Sequence, residues 1–185
     1  TVNVSGIAVN DGNGGNNYAI SYVNNVTGVI TPAALALNAV SDSKVYDGTT
    51  ASNGIVGTVG LQGSDSVGSL SQSYASKNVL GSNGSTLAVN AGYVVNDGNG
   101  GANYSVTTNT ALGTITPASL TGSITASDKV YDSTTAAAIA SRSLAGVIGS
   151  DVVSYTGGTA TFADKNAGAG KTVTATGLAL RGPDA

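Results

Sequence analysis

The chain contains no cysteine, histidine, tryptophan or methionine, and all ten of its acidic residues are aspartate. Without cysteine there are neither disulfide staples nor thiol chemistry. Without histidine, cysteine or glutamate, only Asp, Lys or Tyr is left to act as a catalytic base, so an enzyme is not expected. The missing glutamate also removes a good helix former, while the Asp, Asn, Ser and Gly that abound favour turns. Charge is scarce as well, at 9% of residues against about 25% in an ordinary globular domain. The seven basic residues, Lys44, Lys77, Lys129, Arg142, Lys165, Lys171 and Arg181, are scattered singly. Phosphate backbones need clustered cations, which argues against nucleic acid as a partner. No apolar run approaches the roughly 18 residues of a membrane-spanning helix, so no membrane insertion is expected.

What is present is glycine, 27 of 185 residues, together with Ala, Val, Ser, Thr and Asn. Large core builders are few, with Phe162 the one phenylalanine beside eight tyrosines. A thin core, spread along many short elements, is the expectation.

The chain repeats itself, and this decides its organisation. The stretch from Val9 to Tyr18 returns from Val95 to Tyr104 with nine of ten positions identical. Ile30-Thr31-Pro32-Ala33 returns as Ile115-Thr116-Pro117-Ala118. Lys44-Val45-Tyr46-Asp47 returns as Lys129-Val130-Tyr131-Asp132, Gly63-Ser64-Asp65 as Gly149-Ser150-Asp151, and Ala75-Ser76-Lys77-Asn78 as Ala163-Asp164-Lys165-Asn166. The order is constant and the period is 85 to 88 residues. On this register 1–32 is the C-terminal part of one repeat, 33–117 is a complete repeat, and 118–185 is a repeat without its last strand or strands. Each Ile-Thr-Pro-Ala marks a junction. Proline cannot donate to a ladder and favours an extended residue before it, which suits a short, stiff connector.

Within each unit the apolar pattern has period two, as in half-buried strands. Tyr18, Ile20 and Tyr22 alternate, as do Leu35 and Leu37, Tyr104 and Val106, Val173 and Ala175, and Leu178 and Leu180. Turn-forming clusters interrupt these runs every 8–12 residues or so. Ser133 to Val147 holds an alanine-rich stretch with helical propensity. Its counterpart from Ala51 to Thr58 is spoiled by Gly and Thr, so strand is favoured in both. The fold class expected is all-β: tandem antiparallel modules of β-sandwich type, or of β-grasp type if the alanine-rich slot were helical. A β-solenoid is the second choice, although no coil-length period of about 20 to 30 residues is visible.

Lys44-Val45-Tyr46-Asp47-Gly48-Thr49-Thr50 and Lys129-Val130-Tyr131-Asp132-Ser133-Thr134-Thr135 resemble the signature of YDG-type repeats. Thr161 to Asn166, Gly170 to Val173, the Asn-Tyr pairs at 17–18 and 103–104, and the closing Ile-Thr-Pro-Ala resemble it too. Ser133 in place of Gly, and Ser76 where the other unit has Asp164, are modest departures. Such repeats occur in large secreted bacterial adhesins, among them filamentous-haemagglutinin-like proteins of two-partner secretion and biofilm-matrix adhesins. The resemblance implies location at the cell surface or in the extracellular matrix. It implies a role as stalk or spacer repeats, or as repeats that themselves bind exopolysaccharide or self-associate. The partners it implies are neighbouring repeats, an exopolysaccharide or other adhesin copies. It carries no catalytic residue.

Two sets of residues invite chemistry. Tyr46 with Asp47, and Tyr131 with Asp132, could stack on and hydrogen-bond a sugar. The plainer reading makes Lys44, Tyr46, Asp47, Lys129, Tyr131 and Asp132 structural: the tyrosines pack at the sheet end and the aspartates order the turn. Asp11 and Asp97, in loops of Asp, Asn and Gly, are weak calcium candidates, since a hard cation takes carboxylate and carbonyl oxygens. One carboxylate per loop is few, and Asn and Gly also supply the left-handed angles of a turn. No cofactor is therefore expected.

Overall fold

A computed structural model describes residues 1–185. It is all-β, with fourteen strands, no helix, and neither a closed barrel nor a solenoid. The helical alternative for the alanine-rich stretch, and with it the β-grasp form, gives way to strands.

The unit 33–117 holds nine strands: β1 Ala33–Asn38, β2 Ser43–Val45, β3 Gly57–Val59, β4 Ser66–Gly68, β5 Gln72–Tyr74, β6 Ser85–Val89, β7 Val94–Asn96, β8 Tyr104–Asn109 and β9 Ala111–Thr116. They pair only among themselves, in the orders β3-β1-β8, β2-β9-β6-β5 and β4-β7. Two of the pairings are parallel. β1 runs beside β8 from Ala33↔Tyr104 to Asn38↔Asn109, and β2 beside β9 from Ser43↔Thr114 to Val45↔Thr116. Backbone bonds Ala39 N–H to Asn109 O, Thr114 N–H to Asp42 O, and Tyr46 N–H to Thr116 O carry the pairing along both segments. The first and last stretches of the unit thus lie side by side and point the same way.

Alternation explains why β1 forms. Leu35 and Leu37 fall on one face and are 1% and 0% exposed, with Ala36 between them. Burying each contributes roughly 1.5–3 kcal/mol. They join Val56 and Tyr104 in one cluster, while Ala39, Tyr74, Leu87 and Ile115 form a second. Only 12 of 185 residues are buried, and each cluster is small. Gln72, also buried, stands in for a strand partner. Its amide nitrogen donates to Val40 O at 2.7 Å and its oxygen accepts from Val40 N–H at 2.7 Å.

The unit 118–185 holds β10 Thr121–Ala126, β11 Ala136–Ala137, β12 Ile139–Ala145, β13 Ser154–Phe162 and β14 Val173–Arg181. It repeats the register of 33–117 strand by strand. Ala36↔Val59 becomes Thr121↔Ala145, Tyr74↔Leu87 becomes Phe162↔Val173, and Val67↔Val95 becomes Tyr155↔Leu180. β13 and β14 fuse into one long hairpin what the preceding unit divides between two pairings. Its pairing skips Gly158 and Gly177 without a change of register, where Gly157, Gly158 and Gly177 adopt positive φ.

The segment 1–32 departs from its sequence pattern. Tyr18, Ile20 and Tyr22 alternate as a strand would, yet no strand forms there, and Val2↔Asn25 is the segment's one bridge. A strand needs a neighbour to take its hydrogen bonds, and 18–31 has one only at Asn25, against Val2. The loop before it needs no neighbour and does form: Gly12, Gly14 and Gly15 repeat the positive φ angles of Gly98, Gly100 and Gly101.

Candidate functional site at the repeat junction

The two signature turns are built alike. Lys44 Nζ donates to Asp47 Oδ1, Thr49 O and Thr49 Oγ1 at 2.8, 2.8 and 3.2 Å. Thr49 N–H and Oγ1 donate to the same carboxylate oxygen, each at 2.9 Å. Lys129, Asp132 and Thr134 reproduce every one of these bonds. The lysine bond, first, and then those from the threonine hold the carboxyls of Asp47 and Asp132 down at about 2. Each lysine also lies over a ring, Lys44 at 5.3 Å from the centre of Tyr74 and Lys129 at 5.8 Å from that of Phe162. The Lys and Asp of the motif thus close on each other and order the turn.

The motif tyrosine does something else. The Tyr46 hydroxyl donates to Asp151 Oδ2 of the following unit at 2.8 Å. Lys77 Nζ donates to Asp151 Oδ1 at 3.3 Å and lies 5.9 Å from the centre of the Tyr46 ring. The Tyr46 side chain beside it, and then the Asp151 carboxylate, raise the Lys77 ammonium above its ordinary value. The Gly48 backbone is part of the same contact: a Cβ there would stand 3.3 Å from Ile148 Cγ2. Tyr46, Gly48 and Lys77 therefore receive Ile148 and Asp151 across the boundary. Between the units lies a cleft of about 660 Å³ whose walls include Pro117, Leu120 and Ile148.

Asp65 occupies the same repeat position as Asp151 and binds inside its own unit. Its Oδ2 accepts from the Tyr104 hydroxyl at 2.7 Å, and that hydroxyl accepts from Gln62 N–H at 2.8 Å. Burial, and then the Asp65 carboxylate, push the Tyr104 hydroxyl above the usual phenol value. Sequence reasoning singled out neither Lys77 nor Asp151 as a junction residue. The signal was available, because both charges return at fixed places in a chain that has few charges.

Asp11 and Asp97 sit in their loops as hydrogen-bond hubs. Asp97 Oδ1 accepts from Asn99 and Gly101 N–H, each at 2.8 Å, and Oδ2 from Asn103 N–H at 3.0 Å. Asp11 accepts from Asn13, Gly15 and Asn17 at 2.8, 2.8 and 3.2 Å. These amides, led by Gly101 and Gly15, lower both carboxyls below the ordinary range. In each loop one carboxylate is turned onto its own backbone, and the two loops lie in separate repeats.

All four tyrosines in 33–117 are covered in part or whole: Tyr74 and Tyr104 are buried, Tyr46 and Tyr93 half-buried. Tyr155, in 118–185, is half-buried. Tyr18, Tyr22 and Tyr131 are exposed, and each belongs to a segment that lacks the strand neighbours seen in 33–117.

No curated protein and no solved structure matches the chain significantly. The YDG domain family matches residues 31–111 and again 116–185. These two stretches carry the paired signature turns and take in most of the sequence; the chain belongs to the YDG domain family.

Proposed function

We propose that this chain is a run of spacer repeats from a secreted bacterial surface or biofilm-matrix adhesin, with no catalytic role. The parallel pairing of the first and last strands carries the reading. Because β1–β2 and β8–β9 run the same way, the chain enters a unit at one end and leaves it at the other. Residues 33 to 46, at about 3.3 Å each, give a unit roughly 40 Å long. Units so built stack end to end, and Asp151 with its two donors sets the angle between them. The coverage of every tyrosine in 33–117 supports a spacer over a sugar-binding repeat, which needs an open aromatic face. Low charge, absence of cysteine and two-sided strands with thin cores fit a long extracellular array.

Small-angle scattering tests this. A compact particle of 185 residues has a radius of gyration of about 16 Å; end-to-end units raise it to about 23 Å or more. A value near the compact one would overturn the spacer reading. Saturable binding of the same sample to one polysaccharide in an exopolysaccharide panel would replace it with the binding reading.

A further inference from the structure

We propose that Ser52 and Gln72 become joined by an ester bond, which the chain forms itself with Asp42 as base and with loss of ammonia. The site lies wholly within 33–117 and stands apart from the spacer reading.

Three side chains from separate parts of the unit meet there. Ser52 Oγ donates to Asp42 Oδ2 at 2.6 Å and accepts from Gln72 Nε2 at 3.0 Å. Ser52 and Gln72 are 20 residues apart in sequence and face each other beside the antiparallel bridge Ala51↔Ser73. Gln72 is 3% exposed, and Asp42 and Ser52 are half-buried. A hydroxyl held between a carboxylate and an amide is a nucleophile set beside its base and its target.

The surroundings suit each step. The Ser52 hydroxyl chiefly, helped by the backbone amides of Asn53 and Ser43, holds the Asp42 carboxyl below its ordinary value. It is therefore ionised at neutral pH and open to a proton. A weak base suffices for a reaction that each molecule performs once. Gly54 N–H donates to Ser52 Oγ at 3.2 Å and steadies the charge that develops there. Val40 N–H donates to Gln72 Oε1 at 2.7 Å, which polarises the amide carbonyl and receives the oxyanion of the tetrahedral intermediate. Gly54 also admits the amide, since a Cβ there would stand 2.2 Å from Nε2 and 2.9 Å from Cδ of Gln72. A partial turn about the terminal torsion of Gln72, which has no sharp minimum, sets the face of Cδ towards Oγ.

The step balances. Asp42 takes the Ser52 proton as Oγ bonds to Cδ. The Cδ–Nε2 bond then breaks, and Asp42 returns the proton to the departing nitrogen. The products are one ester and one ammonia, and no cofactor or oxidant enters.

The following unit changes all three positions together. Ala51↔Ser73 corresponds to Ala136↔Thr161, so Ser52 becomes Ala137 and Gln72 becomes Ala160, which pair directly. Asp42, two residues before Lys44, becomes Ser127, two before Lys129. One ester per chain is therefore expected.

Intact-mass spectrometry of the whole folded chain tests this. The expected mass is that of the sequence less one ammonia, and Ser52→Ala should restore the full mass. An Asn-Gly pair also sheds ammonia when it closes to a succinimide, so the link itself is read by digestion. After unfolding and cleavage before each aspartate, fragment 47–64, which holds Ser52, should stay attached to fragment 65–96, which holds Gln72. Mild alkali should part the two and leave a glutamate where Gln72 stood. Asp42→Asn, which keeps the shape of the side chain, should slow the appearance of the link by roughly 100-fold or more. Separate fragments from the folded chain, or a link that survives Ser52→Ala, would overturn the proposal.

Discussion

The Tyr46 hydroxyl and the Asp151 carboxylate meet at 2.8 Å although 105 residues separate them in sequence. This bond, with the Lys77 ion pair beside it, joins one repeat to the next. Asp151→Ala removes the acceptor of both. A hydrogen bond to a charged group contributes about 1.5–3 kcal/mol, less where Lys77 reaches water. The junction should therefore loosen while each unit keeps its stability. Scattering profiles should show a broader spread of inter-unit angles, with an unchanged unfolding midpoint for 33–117.

Gly48 and Ser133 hold the same place in the signature turn, with φ of 77° and 64°. Gly48 faces the following unit, through Ile148. A side chain in the left-handed region costs about 1–2 kcal/mol, so Gly48→Ala should destabilise by about that much and loosen the junction too. Ser133→Gly relieves the strain and should stabilise 118–185 by about 0.5–1 kcal/mol. Denaturant titration of each variant checks both signs.

Acid should act through the same turns. Asp47 and Asp132 are held at about 2 in the folded chain, against about 3.9 when unfolded. A depressed carboxyl contributes stability that is complete above the unfolded value and is lost as pH falls through the folded one. The melting temperature should be level from neutral pH to about 5 and fall between about 4 and 2. Asp47→Asn with Asp132→Asn should flatten that fall.

Calcium provides a separate check on the Asn-Asp-Gly loops. Asp97 spends both oxygens on three backbone amides. Asp97→Ala should strand those donors and lower stability. The loss should be equal with calcium and with chelator. A melting temperature that rises with calcium in the parent chain and not in the variant would make the loop a metal site.

The turns were legible in the sequence because their geometry is local. The loop at Asp11 forms with the same bonds as that at Asp97 although it is followed by no paired strand. Strands were legible only where a neighbour exists. Leu35 and Leu37 alternate and are buried; Tyr18, Ile20 and Tyr22 alternate and lie in the open. Lys44-Val45 is in β2, while the identical Lys129-Val130 pairs with nothing. Period two shows which face a residue would take and is silent about whether a partner stands beside it. The parallel pairings escaped for a related reason, since nothing local to Ala33 or Tyr104 marks them as neighbours.

That pairing also sets the order of events when the chain folds. Thr107 Oγ1 donates to Leu35 O across 72 residues of sequence, and the whole β1–β8 ladder spans a loop of that length. Closing so long a loop costs entropy before any contact repays it. A chain emerging N-terminus first, from a ribosome or through a membrane pore, has Leu35 and Leu37 ready early and must keep them uncovered until Tyr104 and the residues after it arrive. Each repeat then snaps shut as a whole, one period at a time.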